Sequence, residues 1–264
     1  MPQTIGELLT AAISGGVGAK ALDWIVEDWK RRSGEKRSAQ QIVERHLDPI
    51  LKAADELVGK VRSLALSDFS HSRAIHDDST IEDLSVVYLF AEFWSRLQIL
   101  RRESIYVVLN SVREGNRLQQ FMRTLESTRV RIVSRAQQRG IGEALILEGD
   151  VPRVMSLYEF VGRCATTEVD DKENGDDLVA WLEPVEAVVL GTEHTANRQR
   201  ILVYGAIVHA MLDTLDPRHT VSGKRPGWGH KLSKRSRREL EHLVFRRYLS
   251  FVEQPQVYTR PQKK

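Results

Sequence analysis

Residues 79–112 place the strongest constraint on how this chain can fold. They form the longest, most apolar and most aromatic stretch of the sequence. Up to Trp94 the apolar side chains surround the helical axis instead of forming one stripe, which indicates a helix buried on most of its sides. Glu92, Arg96 and Glu103 interrupt the stretch, and such charges are costly inside a membrane. We therefore predict the central helix of a folded bundle, with Glu92 and Arg96 as an i, i+4 ion pair.

The flanking segments predict a predominantly α-helical fold. Apolar residues follow helical spacing over 38–66, where Pro49 is expected to kink or restart the helix. A long third helix is predicted over 117–139, and its arginines would form a solvated basic face or bind phosphate. The strand pair with the best support is a small hairpin within 144–155. The fold class expected is an antiparallel bundle of long helices that carries one small β-hairpin.

Polar breaks divide the chain into three parts. Residues 1–33 are an apolar, interfacial helical segment, residues 34–252 a single helical-bundle domain, and residues 253–264 a disordered tail. The uncharged run 8–19 is shorter than the roughly 20 residues that cross a bilayer. The segment would pack on another helix or lie at a membrane interface. The apolar residues proposed for membrane or partner contact are Leu8, Leu9, Ile13, Val17, Leu22, Trp24, Ile25 and Trp29.

The net charge of +3 is unevenly spread along the chain. Residues 218–264 contain 13 Lys and Arg but 3 Asp and Glu, a net charge of +10, so the remainder carries −7. Six acidic residues fall within 168–177. This asymmetry indicates either an anionic partner or a basic C-terminal region that faces the acidic loop of the same chain.

Residues 218–238 combine basic side chains with one aromatic residue. Pro226 and the glycines on both sides of Trp228 predict a mobile loop. Basic residues around an exposed aromatic side chain are typical of proteins that bind single-stranded nucleic acid. The candidate nucleic-acid-binding residues are Lys224, Arg225, Trp228, Lys231, Lys234, Arg235, Arg237 and Arg238.

The sequence contains no motif of a known catalytic chemistry. It lacks a phosphate-binding P-loop, a dinucleotide-binding glycine motif, a zinc-protease motif and a nucleophile elbow. The single cysteine, Cys164, excludes an internal disulfide, and the histidines and aspartates of the polar loop 67–78 match no metal-site spacing. We predict no catalytic residues, no metal site and no cofactor. An enzyme of unrecognised type would use carboxylates such as Glu92 and Glu103.

Several stretches resemble a group of uncharacterised bacterial proteins. Members of that group often carry one N-terminal membrane-spanning helix before a helical domain, and the resemblance implies no activity and no site residues. Glu7, Lys20 and Asp23 interrupt the corresponding N-terminal segment, so this chain departs from the group there. The stretches are HLDPILKAADELVGKV (46–61), VVYLFAEFWSRLQILRRES (86–104), RAQQRGIGEALI (135–146), MSLYEFVGR (155–163) and HAMLDTLDP (209–217).

These features favour a non-enzymatic helical interaction or scaffold protein. Its partner would be another protein or a second copy of the chain. The expected location is the cytoplasm, and residues 1–33 add the option of contact with the surface of the inner membrane. The alternative is a nucleic-acid-binding protein that uses residues 218–238.

Overall fold

A computed structural model describes residues 17–70, 81–167 and 178–260, with side chains from residue 27 onward except those of residues 31 and 32. Its two short strands, β1 (Ile146–Leu147) and β2 (Arg153–Val154), form an antiparallel hairpin. The rest is mainly helical, which confirms the predicted fold class. The helices are α1 (Val17–Leu66), α2 (Ile81–Glu103), α3 (Arg113–Leu125), α4 (Arg135–Ala144), α5 (Leu157–Thr167), α6 (Leu178–Leu190), α7 (Thr195–Leu215), α8 (Lys234–Glu239, continued by π-helical Leu240–Phe245 and by Arg246–Tyr248) and α9 (Gln256–Thr259).

Helix α2 lies in the centre of the bundle, as its apolar circumference predicts. Phe90, Phe93 and Leu100 are completely buried. The predicted pair forms, with Arg96 Nη2 3.5 Å from Glu92 Oε1. Burial raises the pKa of Glu92 more than the nearby Arg96 lowers it.

Helices α1 and α2 run antiparallel, and an ion pair joins them towards each end of the region where they are in contact. Lys60 Nζ lies 3.1 Å from Glu82 Oε1, and Arg45 Nη1 lies 3.1 Å from Glu103 Oε2. The earlier residue of α1, Arg45, pairs with the later residue of α2, Glu103, as antiparallel packing requires. All four side chains are partly exposed, so most of the stability of this contact comes from the apolar residues between the pairs.

A buried hydrogen bond connects α2 to α7. Trp94 Nε1 donates to the hydroxyl oxygen of Tyr204 over 2.7 Å, and the ring of Phe90 lies edge-on to Tyr204 at 5.6 Å. Burial raises the pKa of Tyr204 well above its ordinary value, so the hydroxyl stays protonated at physiological pH. A polar pair at this depth fixes the register of the two helices, because either group alone would lack a partner.

Helix α1 runs without interruption across the boundary at residues 33–34 that separates the first two predicted parts of the chain, and it also accommodates Pro49. Its 50 residues give a length of about 75 Å. Among the described side chains of α1, burial begins at Ala39, whereas Trp29 is 69% exposed and a β-carbon added at Gly34 would meet open space. The mostly exposed side chains described within residues 27–38 therefore make this part of α1 a helical arm that leaves the bundle. Lys, Arg, Glu and Ala favour a helix strongly enough to offset the cost of about 1 kcal/mol for one glycine.

The prediction of one helix over 117–139 is wrong, because residues 126–134 separate α3 from α4. This loop contains Thr128, Val130, Ile132 and Val133, whose β-branched side chains disfavour a helix. A new helix then begins at Ser134, whose hydroxyl accepts from the backbone of Gln137 while the Gln137 side chain accepts from the backbone of Ser134.

Part of the predicted C-terminal tail is helical. Helix α9 falls within residues 253–264, and Tyr258 is buried and donates a 2.7 Å hydrogen bond to Asp213 on α7. Gly229 permits this packing, since a β-carbon at this position would lie 2.5 Å from the backbone nitrogen of Arg260. Aromatic burial therefore anchors residues that composition alone assigns to a tail.

Across the described ranges, the helices lack the length of apolar sequence needed to cross a membrane.

We expect Tyr204→Phe to lower the free energy of unfolding by about 1–3 kcal/mol, because it leaves the buried indole N–H of Trp94 without its acceptor. Urea unfolding measures this change. Tyr158, which is 89% exposed, provides the matched control, and Tyr158→Phe should change the stability by less than about 0.5 kcal/mol. Equal effects of the two substitutions would contradict the role given to the Trp94–Tyr204 bond.

Candidate anion-binding cavity

A cavity of about 730 Å³ opens where the loop 126–134, the start of α7 and the start of α8 meet. Of its described lining residues, four are arginines: Arg129, Arg131, Arg200 and Arg235. They come from three separate segments of the chain. The cavity is therefore a product of the tertiary fold and not of one basic helix face.

The cavity carries a net positive charge. Glu239 is the one carboxylate among the described lining residues, and its Oε1 lies 2.9 Å from Arg235 Nε in an ion pair. Within the described part of the chain, Arg129 and Arg131 have no acidic partner. Arg200 donates from Nη1 to the carbonyl oxygen of Ile132 over 3.3 Å, which restrains its guanidinium without neutralising it.

The loop that carries Arg129 and Arg131 is held by alternating burial. Val130 and Ile132 are buried in the core, so the two arginines between and beside them project away from it. The backbone here turns, and the carbonyl oxygen of Ser127 accepts from the backbone nitrogens of Val130 and Arg131 at 3.1 and 2.9 Å. The short run of core contacts therefore presents two arginines to the cavity.

Glu126 anchors the beginning of the same loop. This largely buried carboxylate pairs with Arg101 on α2, with Arg135 at 2.9 Å and with Arg139 at 3.0 Å, both on α4. Burial opposes ionisation of Glu126, but Arg139 and Arg101 outweigh that effect and lower its pKa. The ion pairs connect α2, the start of the loop and α4.

Helix α7 contributes its first turn to the cavity wall. Thr195 and Ala196 line the cavity, and the preceding His194 supplies no side-chain acceptor for the first amides. The partial positive charge at the start of this 21-residue helix adds to that of the arginines.

Gln199 joins α7 to the start of α8. Its Oε1 accepts from the backbone nitrogen of Ser233 over 2.8 Å, and its Nε2 donates to the carbonyl oxygen of Lys231 over 3.1 Å. The helical segment that carries Arg235 and Glu239 then continues as a π-helix, a geometry often found beside functional sites. Gln199 thus ties the backbone just before Arg235 to α7.

The structure places Trp228 in the core, so the prediction that this aromatic residue is exposed is wrong. Its side chain is 2% exposed, its Nε1 donates to the carbonyl oxygen of Leu202 over 3.2 Å, and its ring stacks on His209 at 5.6 Å. Gly205 on α7 makes room for the indole, since a β-carbon there would lie 2.9 Å from the Trp228 ring. Burial also lowers the pKa of His209, so a neutral imidazole faces the indole at neutral pH.

Several of the predicted nucleic-acid-binding cations are engaged within the protein. Arg225 forms a two-point ion pair with Asp55 on α1, at 3.0 and 2.6 Å. Lys231 Nζ lies 2.7 Å from Asp68, and Arg237 donates to backbone carbonyl oxygens. The exposed members of the predicted set are Lys224, Lys234, Arg235 and Arg238, of which Arg235 lines the cavity.

The other candidate residues lie away from the cavity. Trp29 is exposed on the arm of α1. Glu103, the second candidate carboxylate of an enzyme, lies 2.9 Å from His46 Nε2 and also pairs with Arg45. Burial opposes its ionisation, but His46 and Arg45 lower its pKa. Leu8, Leu9 and Ile13 lie outside the described residues, as do the side chains of Val17, Leu22, Trp24 and Ile25.

The described residues contain no group of three or more His, Cys, Asp or Glu that could hold a metal ion. Comparison with known protein families, curated proteins and solved structures gives no significant match to this chain. The function is therefore argued from the geometry and charge of the cavity.

Sequence reasoning does not find this cavity. It assigns Arg129 and Arg131 to a helix face and does not single out Thr195 or Arg200. One signal is present, because Arg and β-branched residues alternate in TRVRI (128–132), which is not the spacing of a helix face. The approach of α7 and α8 to that loop has no comparable signal in the sequence.

We expect Trp228→Ala to destabilise the protein by about 3–5 kcal/mol, the usual result of removing a large buried aromatic side chain. Trp29→Ala, on the exposed arm, should change the free energy of unfolding by no more than about 0.5 kcal/mol. Chemical denaturation of the two variants measures the difference. If Trp228→Ala lowered the free energy of unfolding as little as Trp29→Ala, the buried position of Trp228 would be contradicted. Stacking of Trp228 on nucleic-acid bases would then again be a candidate role.

Proposed function

We propose that this protein is a non-enzymatic helical interaction protein that holds an anionic segment of a partner protein in its arginine cavity. The observation that carries the proposal is the convergence of Arg129, Arg131, Arg200 and Arg235 on one concave site with a single carboxylate among its described lining residues. Arginine recognises carboxylates and phosphates through paired N–H donors, so this residue type suits an anionic ligand.

The size of the cavity favours a ligand that inserts a few side chains over one that binds across an extended surface. A volume of about 730 Å³ lies within the range of roughly 300–1,000 Å³ that is common for ligand sites. Such a volume suits an acidic peptide segment. A nucleic-acid duplex is a rigid and much wider ligand and would meet only the rim of such a cavity.

The helical arm supports an interaction role. The cavity lies beside the C-terminal end of α1, because Asp68 just beyond that helix pairs with Lys231, and Lys231 is tied to Gln199 in the cavity wall. The arm leaves the bundle at the other end of the same helix, about 40 Å away over residues 39–66. In this proposal residues 1–33 provide a second contact, with another copy of the chain, a partner protein or a membrane surface.

Nucleic-acid binding is the second candidate function. The arginines of the cavity favour it, since they would bind the phosphates of a single strand. The burial of Trp228 counts against the stacking mode that residues 218–238 predict, and Arg225 and Lys231 are occupied by Asp55 and Asp68. The two candidates differ in the ligand that the cavity prefers.

We expect the variant Arg129→Gln/Arg131→Gln/Arg200→Gln to bind a polyglutamate peptide about tenfold more weakly than the wild type or worse, since tenfold corresponds to only about 1.4 kcal/mol. Fluorescence anisotropy with a labelled peptide measures the affinity. The matched control, Arg218→Gln/Arg246→Gln/Arg247→Gln, removes the same charge from exposed positions outside the cavity lining and should bind nearly as well as the wild type.

Equal losses in the two triple variants would show non-specific attraction and contradict the proposal. Binding of a labelled oligothymidylate in place of polyglutamate, with the same dependence on the cavity arginines and a steep decrease with salt, would favour nucleic-acid binding instead. Absence of binding to both probes at low salt would reject both candidates.

We expect deletion of residues 1–33 to shift the protein from oligomeric or membrane-bound fractions to a soluble monomer. The bundle should stay folded, because burial begins at Ala39. Light scattering after size-exclusion chromatography and flotation with liposomes measure the two changes, and thermal unfolding checks the fold. The variant Leu8→Ser/Leu9→Ser/Ile13→Ser keeps the arm and should give the same shift. Unchanged fractionation of both variants would exclude a contact through this segment.

A further inference from the structure

We infer that the anionic group bound in the cavity is the phosphate of a phosphorylated side chain and not a carboxylate. The inference rests on the proposed function for the place of binding and adds the chemistry of the ligand.

The charge balance favours a dianion. Arg235 is neutralised by Glu239, whereas Arg129, Arg131 and Arg200 have no acidic partner within the described part of the chain, which leaves a charge of +3. A carboxylate would still leave +2 among arginines that repel one another. A phosphate monoester carries about −1.5 to −2 at neutral pH and would leave roughly +1. The larger local charge therefore matches the cavity better.

The donors favour a group with three acceptor oxygens. Arg200 is held in place by its bond to the carbonyl oxygen of Ile132, so it is positioned before the ligand arrives. Thr128 and Thr195 add hydroxyl groups to the guanidinium N–H groups of the cavity. A carboxylate offers two oxygens to this set, and a phosphate monoester offers three. A phosphate can therefore accept hydrogen bonds from more of the guanidinium and hydroxyl donors of the cavity than a carboxylate can.

The lining favours a phosphorylated side chain over a nucleotide. The described residues of the cavity wall include no aromatic side chain, and Trp228, which the sequence suggests for stacking, is buried elsewhere. Base recognition usually relies on aromatic stacking, which contributes strongly to affinity. The accessible apolar part of the wall, Ala196 and Val203, suits the aliphatic side chains of a peptide.

The test compares three acidic peptides of the same sequence with serine, glutamate or phosphoserine at one central position, at constant ionic strength. Fluorescence anisotropy should give an affinity at least about tenfold higher for the phosphoserine peptide than for the glutamate peptide. Inorganic pyrophosphate should displace the phosphoserine peptide, and acetate at the same ionic strength should not.

The same measurement on variants tests the role of the cavity arginines. The variant Arg129→Gln/Arg131→Gln/Arg200→Gln should lose the preference for phosphoserine, and Arg218→Gln/Arg246→Gln/Arg247→Gln should keep it. Arg200→Lys retains the charge without the paired donors and should show an intermediate preference.

Other outcomes separate this inference from the proposed function. Equal affinity for the glutamate and phosphoserine peptides, with both lost in the cavity variant, would overturn the phosphate assignment and leave the proposed function intact. Tighter binding of ATP than of the phosphoserine peptide, through the same arginines, would overturn the phosphorylated side chain in favour of a nucleotide. Absence of binding to every peptide and to pyrophosphate would reject both proposals. Circular dichroism and thermal unfolding establish that each variant is folded.

Discussion

One largely buried carboxylate, Glu126, anchors the start of the loop that forms one wall of the candidate site. It ends α3, begins the loop 126–134 and pairs with arginines from α2 and α4. These arginines lower its pKa despite its burial, so it stays charged and the three elements stay joined. Because the loop leaves the core at a fixed place, Val130 and Ile132 can pack inward while Arg129 and Arg131 face the cavity. Loss of the carboxylate would leave several arginines without a partner and release the loop.

The rest of the fold brings the other walls to that loop. The Trp94–Tyr204 bond sets α7 against α2, and α7 then presents Thr195 and Arg200 at its first turns. Gln199 holds the start of α8, which supplies Arg235. Trp228 contributes by packing the preceding loop into the core against His209. The basic C-terminal region is therefore partly a structural element whose cations meet acidic residues of the same chain, and partly one wall of the cavity.

Local patterns predicted the helical class, the central helix, the Glu92–Arg96 pair and the hairpin, because each depends on neighbours in sequence. The loop 126–134 was missed because its arginines favour a helix, whereas the β-branched residues between them and the pairing of Glu126 with Arg101 decide against it. Trp228 was misplaced because flanking glycines usually indicate mobility, and the small Gly205 that accepts its ring lies on another helix. The cavity depends on three distant segments, and one sequence gives no sign of their approach.

The central claim is that the cavity arginines form the binding site, and NMR of arginine side chains tests it most directly. The Nε–Hε resonances can be assigned by single substitutions and followed during a titration with pyrophosphate at constant ionic strength. Saturable shifts confined to Arg129, Arg131, Arg200 and Arg235, with Arg246 and Arg247 unchanged, are the predicted result. Small shifts spread over all exposed arginines, or the largest shifts at Arg246 and Arg247, would contradict the claim.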